Sequence, residues 1–76
     1  MTTTEALEAA TAISEMIALD NTTTDAETEA ELRENFNALH AILTERIGDL
    51  DHASLEAKLL FNMLKIGERH FYIAGL

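Results

Sequence analysis

The chain has no cysteine, no proline and no tryptophan, and only three glycines in 76 residues. Without cysteine there is no disulfide framework, no thiolate metal site and no cysteine nucleophile. The absence fits a reducing compartment, and a cytoplasmic location is expected. Without proline, nothing in the sequence breaks a helix from within. The glycines, Gly48, Gly67 and Gly75, are too scattered for a phosphate-cradling loop. No charged segment followed by an apolar run opens the chain, so no signal peptide is expected. The apolar runs are far shorter than a bilayer crossing, so no membrane partner is expected. Asn21-Thr22-Thr23 matches a glycosylation sequon, which means little without a secretory signal.

Positive charge is also missing from much of the chain. Glu5, Glu8, Glu15, Asp20, Asp25, Glu27, Glu29 and Glu31 all precede Arg33, the first basic residue, so residues 1–32 carry −8. The remaining residues hold six acids and five bases and carry −1, within a total of −9. Affinity for nucleic acid comes from Lys and Arg displacing counterions, so direct binding to DNA or RNA is not expected. A protein partner with a basic surface is the better electrostatic match.

Abundant Ala, Leu, Glu and Met favour helix. One small domain over 1–76 with an all-α fold of three helices is expected. The first helix spans about 4–19. Thr2 and Glu5 have capping-box spacing, with Thr4 as the alternative cap. Ala6, Ala10, Ile13 and Ile17 recur every three or four residues, and Asn21 suits the left-handed backbone that often ends a helix. The second helix spans about 25–47. Thr24 and Glu27 have capping-box spacing, the stripe is Leu32, Phe36, Leu39, Leu43 and Ile47, and Gly48 stands at the stop. The third spans about 52–74 after Asp51 as N-cap, with Leu50 and Leu55 at hydrophobic-staple spacing. Short links at 20–24 and 48–51 favour antiparallel neighbours. The simplest arrangement is a long antiparallel hairpin of helices two and three with the shorter first helix packed on it.

The third helix is too apolar for one neighbour. Leu59, Met63, Ile66 and Ile73 form one stripe with His70 in register, Leu60, Leu64, Phe71 and Ala74 form another, and Leu76 adds to the excess. A helix packing on one neighbour needs an apolar arc of about 100°, and this one is wider. It reads either as the central helix of a monomeric bundle or as a dimer surface made by Leu60, Leu64, Gly67, Phe71 and Ala74, with Gly67 admitting a close approach.

Catalytic and metal chemistry find no constellation. The three histidines lack the Glu-x-x-His spacing of a di-iron bundle. Asp49 and Asp51 begin like a calcium loop, but Ala53 and Leu60 stand where oxygen ligands are needed. His40 and His70 read as half-buried packing residues, and His70 at an interface would sense pH. Ser14 and Ser54 have no nucleophile context. No enzyme activity, cofactor or metal is expected. Glu27, Glu31 and Glu34 share one helix face, read either as an acidic docking ridge or as a solvated face.

The segment "DLDHASLEAKLLFNML" followed by "GERHFY" resembles the junction of helices two and three in the small helical YmgB/AriR and YcgZ proteins. The shared pattern is Leu50, then Ser54-Leu55, then Ala57-Lys58-Leu59-Leu60, over roughly a third of the chain. The resemblance implies a non-enzymatic, dimeric helical regulator of the kind tied to biofilm and stress signalling. It carries over no functional residue.

The expected function is therefore a homodimeric interaction module whose acidic face, Glu5, Glu8, Glu15, Glu27 and Glu31, meets a basic protein partner. The alternative is a phage or mobile-element inhibitor that mimics nucleic acid on a nucleic-acid-binding protein.

Overall fold

Thr2 and Glu5 start the first helix as their spacing predicts. The Glu5 N–H donates to Thr2 Oγ1 at 3.1 Å, and the Thr2 N–H donates to Glu5 Oε1 at 3.0 Å. A computed structural model describes residues 1–75 and is helical throughout its regular elements. The helices are α1 (Thr3–Thr22), α2 (Ala26–Arg46) and α3 (Leu55–Phe71), with a short 3₁₀ turn at Ile47–Asp49. Leu76 lies outside the described residues.

Each boundary that differs from expectation has a local cause. α1 runs past Asn21 to Thr22 and ends in extended backbone at Thr23. Asp25, not Thr24, caps α2. Its two carboxylate oxygens accept from the Glu27 N–H at 3.2 Å and from the Thr28 hydroxyl at 2.8 Å, which a single threonine hydroxyl cannot match. α3 begins three residues later than an Asp51 cap would place it. Asp51 instead closes a turn, accepting from the Ala53 N–H at 3.0 Å, and Ser54 caps the helix through the Ala57 N–H at 3.1 Å. The staple is lost with that shift: Leu50 is buried, but Leu55 is 79% exposed. α3 stops at Phe71 because Tyr72 turns left-handed, at φ 57° and ψ 44°, so Ala74 lies beyond the helix and is exposed.

The closest packing joins the first and last helices. α1 lies most extensively on α3, while α2 touches both less, so the pair expected to dominate, α2 with α3, is not the principal contact. Arg46 meets Glu5, Arg33 meets Phe71, and His70 meets Asp20. Those pairs make α1 and α3 parallel, with α2 running the other way. The small residues Ala6, Ala9 and Ala10 of α1 and Ala57 and Gly67 of α3 are buried, which lets the helix axes come close.

Phe36 closes the core from α2. It is 0% exposed and stacks on Phe71 at a centroid distance of 5.1 Å. A Cβ at Gly67 would lie 2.5 Å from Phe36 Cε2 and 3.2 Å from Ile13 Cγ2. The glycine therefore makes room for an aromatic ring, within one chain, where all three helices meet. Leu39, expected to be buried with Phe36, is only half-buried.

Gly67→Ala should destabilise the fold by about 1–3 kcal/mol through overpacking, although alanine is intrinsically the better helix former by roughly 1 kcal/mol. Phe36→Ala should cost about 3–5 kcal/mol. In a Phe36→Leu background the penalty for Gly67→Ala should shrink, and urea denaturation of the four variants in this cycle measures that coupling. A Gly67→Ala protein as stable as wild type would show that the ring does not occupy the space above Gly67.

Candidate interaction surface

The acidic residues of the first half are turned outward. Glu8 and Glu15 on α1 and Glu27 and Glu31 on α2 are all exposed. Seven residues separate the first pair and four the second, so each pair follows one ridge of its helix. Glu5 differs: it is half-buried and committed to the Thr2 cap and to Arg46, whose Nη2 lies 2.6 Å from Glu5 Oε2. The Thr2 N–H, then the Arg46 guanidinium, hold the Glu5 carboxyl below its ordinary value. Glu5 is thus a structural tie between α1 and α2, less available to a partner than the other four.

Two of the five basic residues, both exposed on α2, are engaged by contacts within the chain. Arg46 binds Glu5. Arg33 reaches from α2 to the end of α3, where Nε donates to the Phe71 carbonyl at 2.8 Å and Nη2 to the Tyr72 carbonyl at 3.4 Å. A guanidinium there satisfies carbonyls left open at a helix C-terminus and suits the dipole. The remaining cations, Lys58, Lys65 and Arg69, all lie on α3 and are exposed. Exposed acids therefore outnumber bases along α1 and α2, where Arg33 and Arg46 are also exposed, and the other three cations gather on α3.

Both interior-facing histidines join helices through carboxylates. His40 Nε2 lies 2.8 Å from Glu68 Oε2, linking α2 to α3, and His70 Nε2 lies 2.5 Å from Asp20 Oδ2, linking α3 to α1. Every buried side-chain polar atom among the described residues has a partner, and no group of three His, Asp or Glu is gathered there as a metal site would require. Among the described residues no helix is long and apolar enough to cross a membrane.

The residues expected to form a dimer surface are placed differently. Leu60, Leu64, Gly67 and Phe71 are buried within the chain's own core, and only Ala74 is exposed. The apolar surface of α3 that does remain outside is the neighbouring stripe, with Leu55 79%, Leu59 41% and Ile66 48% exposed. Leu59 and Met63 form one wall of a groove of about 260 Å³ whose other wall is Ala10, Thr11, Ser14 and Glu15 of α1. A single carboxylate and two hydroxyls on an apolar floor suit docking better than acid–base chemistry. No family model, curated protein or solved structure matches the chain.

Asp25 is likewise held below its ordinary value, first by the Thr28 hydroxyl and then by the Glu27 N–H. For a carboxylate lowered in the folded state, the stabilisation is full above its unfolded value and is lost as pH falls through the folded one. Acid should therefore erode stability below the ordinary carboxylate range. Glu5→Gln with Asp25→Asn keeps polar caps at both helix starts, and thermal melts of this variant should show a shallower decline with falling pH. An unchanged acid limb would place the pH dependence in other groups.

Proposed function

We propose that the chain is a non-enzymatic, acidic helical interaction module, a homodimer that binds and modulates a protein partner bearing a basic surface. The cytoplasm is the proposed setting, and neither a cofactor nor direct contact with nucleic acid is part of this function. One observation carries the reading. Exposed carboxylates line α1 and α2 and outnumber the two exposed bases there, of which Arg46 is already paired with Glu5. A one-signed surface raises the rate of encounter with an oppositely charged partner and discourages wrong ones. The resemblance to the YmgB/AriR and YcgZ proteins belongs to the same proposal, as a helical regulator.

A second reading, an inhibitor that mimics nucleic acid, is favoured by one feature. Glu27, Glu31 and Glu34 are all exposed on α2, and their spacing makes a row climbing about 6 Å and then about 4.5 Å along the helix. On this reading the partner is itself a nucleic-acid-binding protein, and nucleic acid should compete for it.

The test uses the wild-type chain and its Glu27→Lys/Glu31→Lys variant as baits, with mass spectrometry to identify partners. Association rates of the captured protein are then measured against salt. The variant should associate several-fold more slowly at low salt, and the two rates should converge as screening shortens the field to within about 8 Å at physiological ionic strength. Folding should be nearly unaffected, because surface substitutions usually change stability by less than about 0.5 kcal/mol. Association indifferent to both the reversal and salt would make the acidic ridges a solvated face and nothing more.

A further inference from the structure

The α1–α3 face has two unlike halves. On α3 it presents the large side chains Leu55, Leu59 and Ile66, and on α1 it presents Leu7, Thr11, Ser14 and Ala18, all of them exposed. These α1 positions follow a four-and-three spacing one residue beyond the buried Ala6, Ala10 and Ile13, so they form a strip beside the core stripe, small at every position but Leu7. The outer borders carry opposite charge. Glu8 and Glu15 edge α1, and Lys58 and Arg69 edge α3.

The helices are parallel, and their relative height is set by two contacts. Asp20 meets His70, and Ala10 shares the groove with Leu59 and Met63. On that register Glu8 stands roughly level with Lys58, and Glu15 roughly level with Lys65 and Arg69, about two turns farther along.

We infer that a second copy of this chain covers the α1–α3 face, related by a two-fold axis parallel to the helices, so that α3 of each copy lies over α1 of the other. The inference rests on the homodimer part of the function proposed above and assigns it a face. A two-fold axis in that direction preserves height while exchanging left and right. It sets Leu59 and Ile66 of one copy over the strip of Leu7, Thr11, Ser14 and Ala18 of the other, and it sets Glu8 against Lys58 and Glu15 against Lys65 and Arg69. The perpendicular two-fold would instead lay α1 on α1 and bring acid to acid, which is repulsive. Self-complementarity of this kind is what an isologous interface requires. A stable interface takes roughly 800 Å² from each partner, about a sixth of the 4876 Å² that this chain exposes, and one side of a two-helix layer supplies an area of that order. The dimer leaves Glu27 and Glu31 of α2 outside the interface, free to meet the basic partner.

The experiment is sedimentation velocity on the full chain from about 1 to 300 μM, with circular dichroism to confirm folding. Wild type should dimerise. Leu59→Glu, at an exposed position that leaves the core intact, should weaken dimerisation about tenfold or more. Glu8→Lys/Glu15→Lys and Lys58→Glu/Arg69→Glu should each self-associate less than wild type. Mixed one to one, they should recover a heterodimer, because each then supplies the charge that the other lacks. A folded wild-type monomer throughout the range would overturn the inference and the homodimer with it, leaving partner binding through α2 to stand or fall by the pull-down. A dimer insensitive to Leu59→Glu but broken by Ile42→Glu on α2 would keep the homodimer and overturn this face. A dimer broken by Leu59→Glu without recovery on mixing would overturn the parallel two-fold arrangement.

Discussion

The missing Cβ at Gly67 is the constraint on which the rest of the packing depends. It opens a space on α3 that the Phe36 ring fills from α2, with the Ile13 methyl of α1 at its edge. The three helices therefore share one point of contact, and each of the other core residues is placed relative to it. Phe71, one turn beyond Gly67, continues the aromatic stack. A large side chain facing a residue with none is how densely packed interiors interdigitate. In a chain this short, little other apolar area is available to compensate if that match is lost.

Around this apolar centre the polar contacts act as ties between helices. Glu5 with Arg46 joins α1 to α2, His40 with Glu68 joins α2 to α3, and His70 with Asp20 joins α3 to α1. Arg33 adds a fourth by holding the carbonyls at the end of α3. These ties also shape the exterior. Arg46 and Arg33 stay exposed, the first with its charge balanced by Glu5 and the second on neutral carbonyls, so the contacts that orient the helices also fix where these two positive charges sit among the acids of α2. Fold and surface charge are coupled through two arginines.

Much of this was legible in the sequence because it follows from short-range physics. Helix number and approximate extent, the Thr2–Glu5 box and the burial of Ile13, Phe36 and Leu43 come from spacing alone. The misses concern competition between neighbours and contacts between distant residues. Thr24 and Asp25 are both good caps, and Asp25 prevails with two oxygens that accept from the Glu27 N–H and the Thr28 hydroxyl. Asp51 and Ser54 compete in the same way. Tyr72 in the left-handed region carries no local signal, since glycine or asparagine is usual there; it is stabilised by Arg33, 39 positions away for the Tyr72 carbonyl. On α3 two apolar stripes stand one residue apart, and periodicity does not say which faces inward. Of the two places open to the stripe with Leu60, Leu64 and Phe71, a bundle core or a dimer surface, Gly67 and the alanines of α1 draw it into the core. The acidic character of the candidate surface was readable from composition, but its separation from the cations of α3 depends on where Arg33 and Arg46 point.

The pairing of the first helix with the last has a consequence for how the protein comes into being. α1 is complete at Thr22, but its principal partner ends at Phe71. At a synthesis rate of about 5–20 residues per second, the nascent chain waits roughly 2–10 s between the two. During that interval the Ala6–Ala10–Ile13 stripe has no α3 to cover it, and most helical stability in a protein comes from such packing of the apolar face. The α1–α3 core cannot close until Phe71 has been made and released from the ribosome. The native core thus hangs on a contact between segments far apart in sequence, which bears a larger loop-closure cost than the pairing of neighbouring helices.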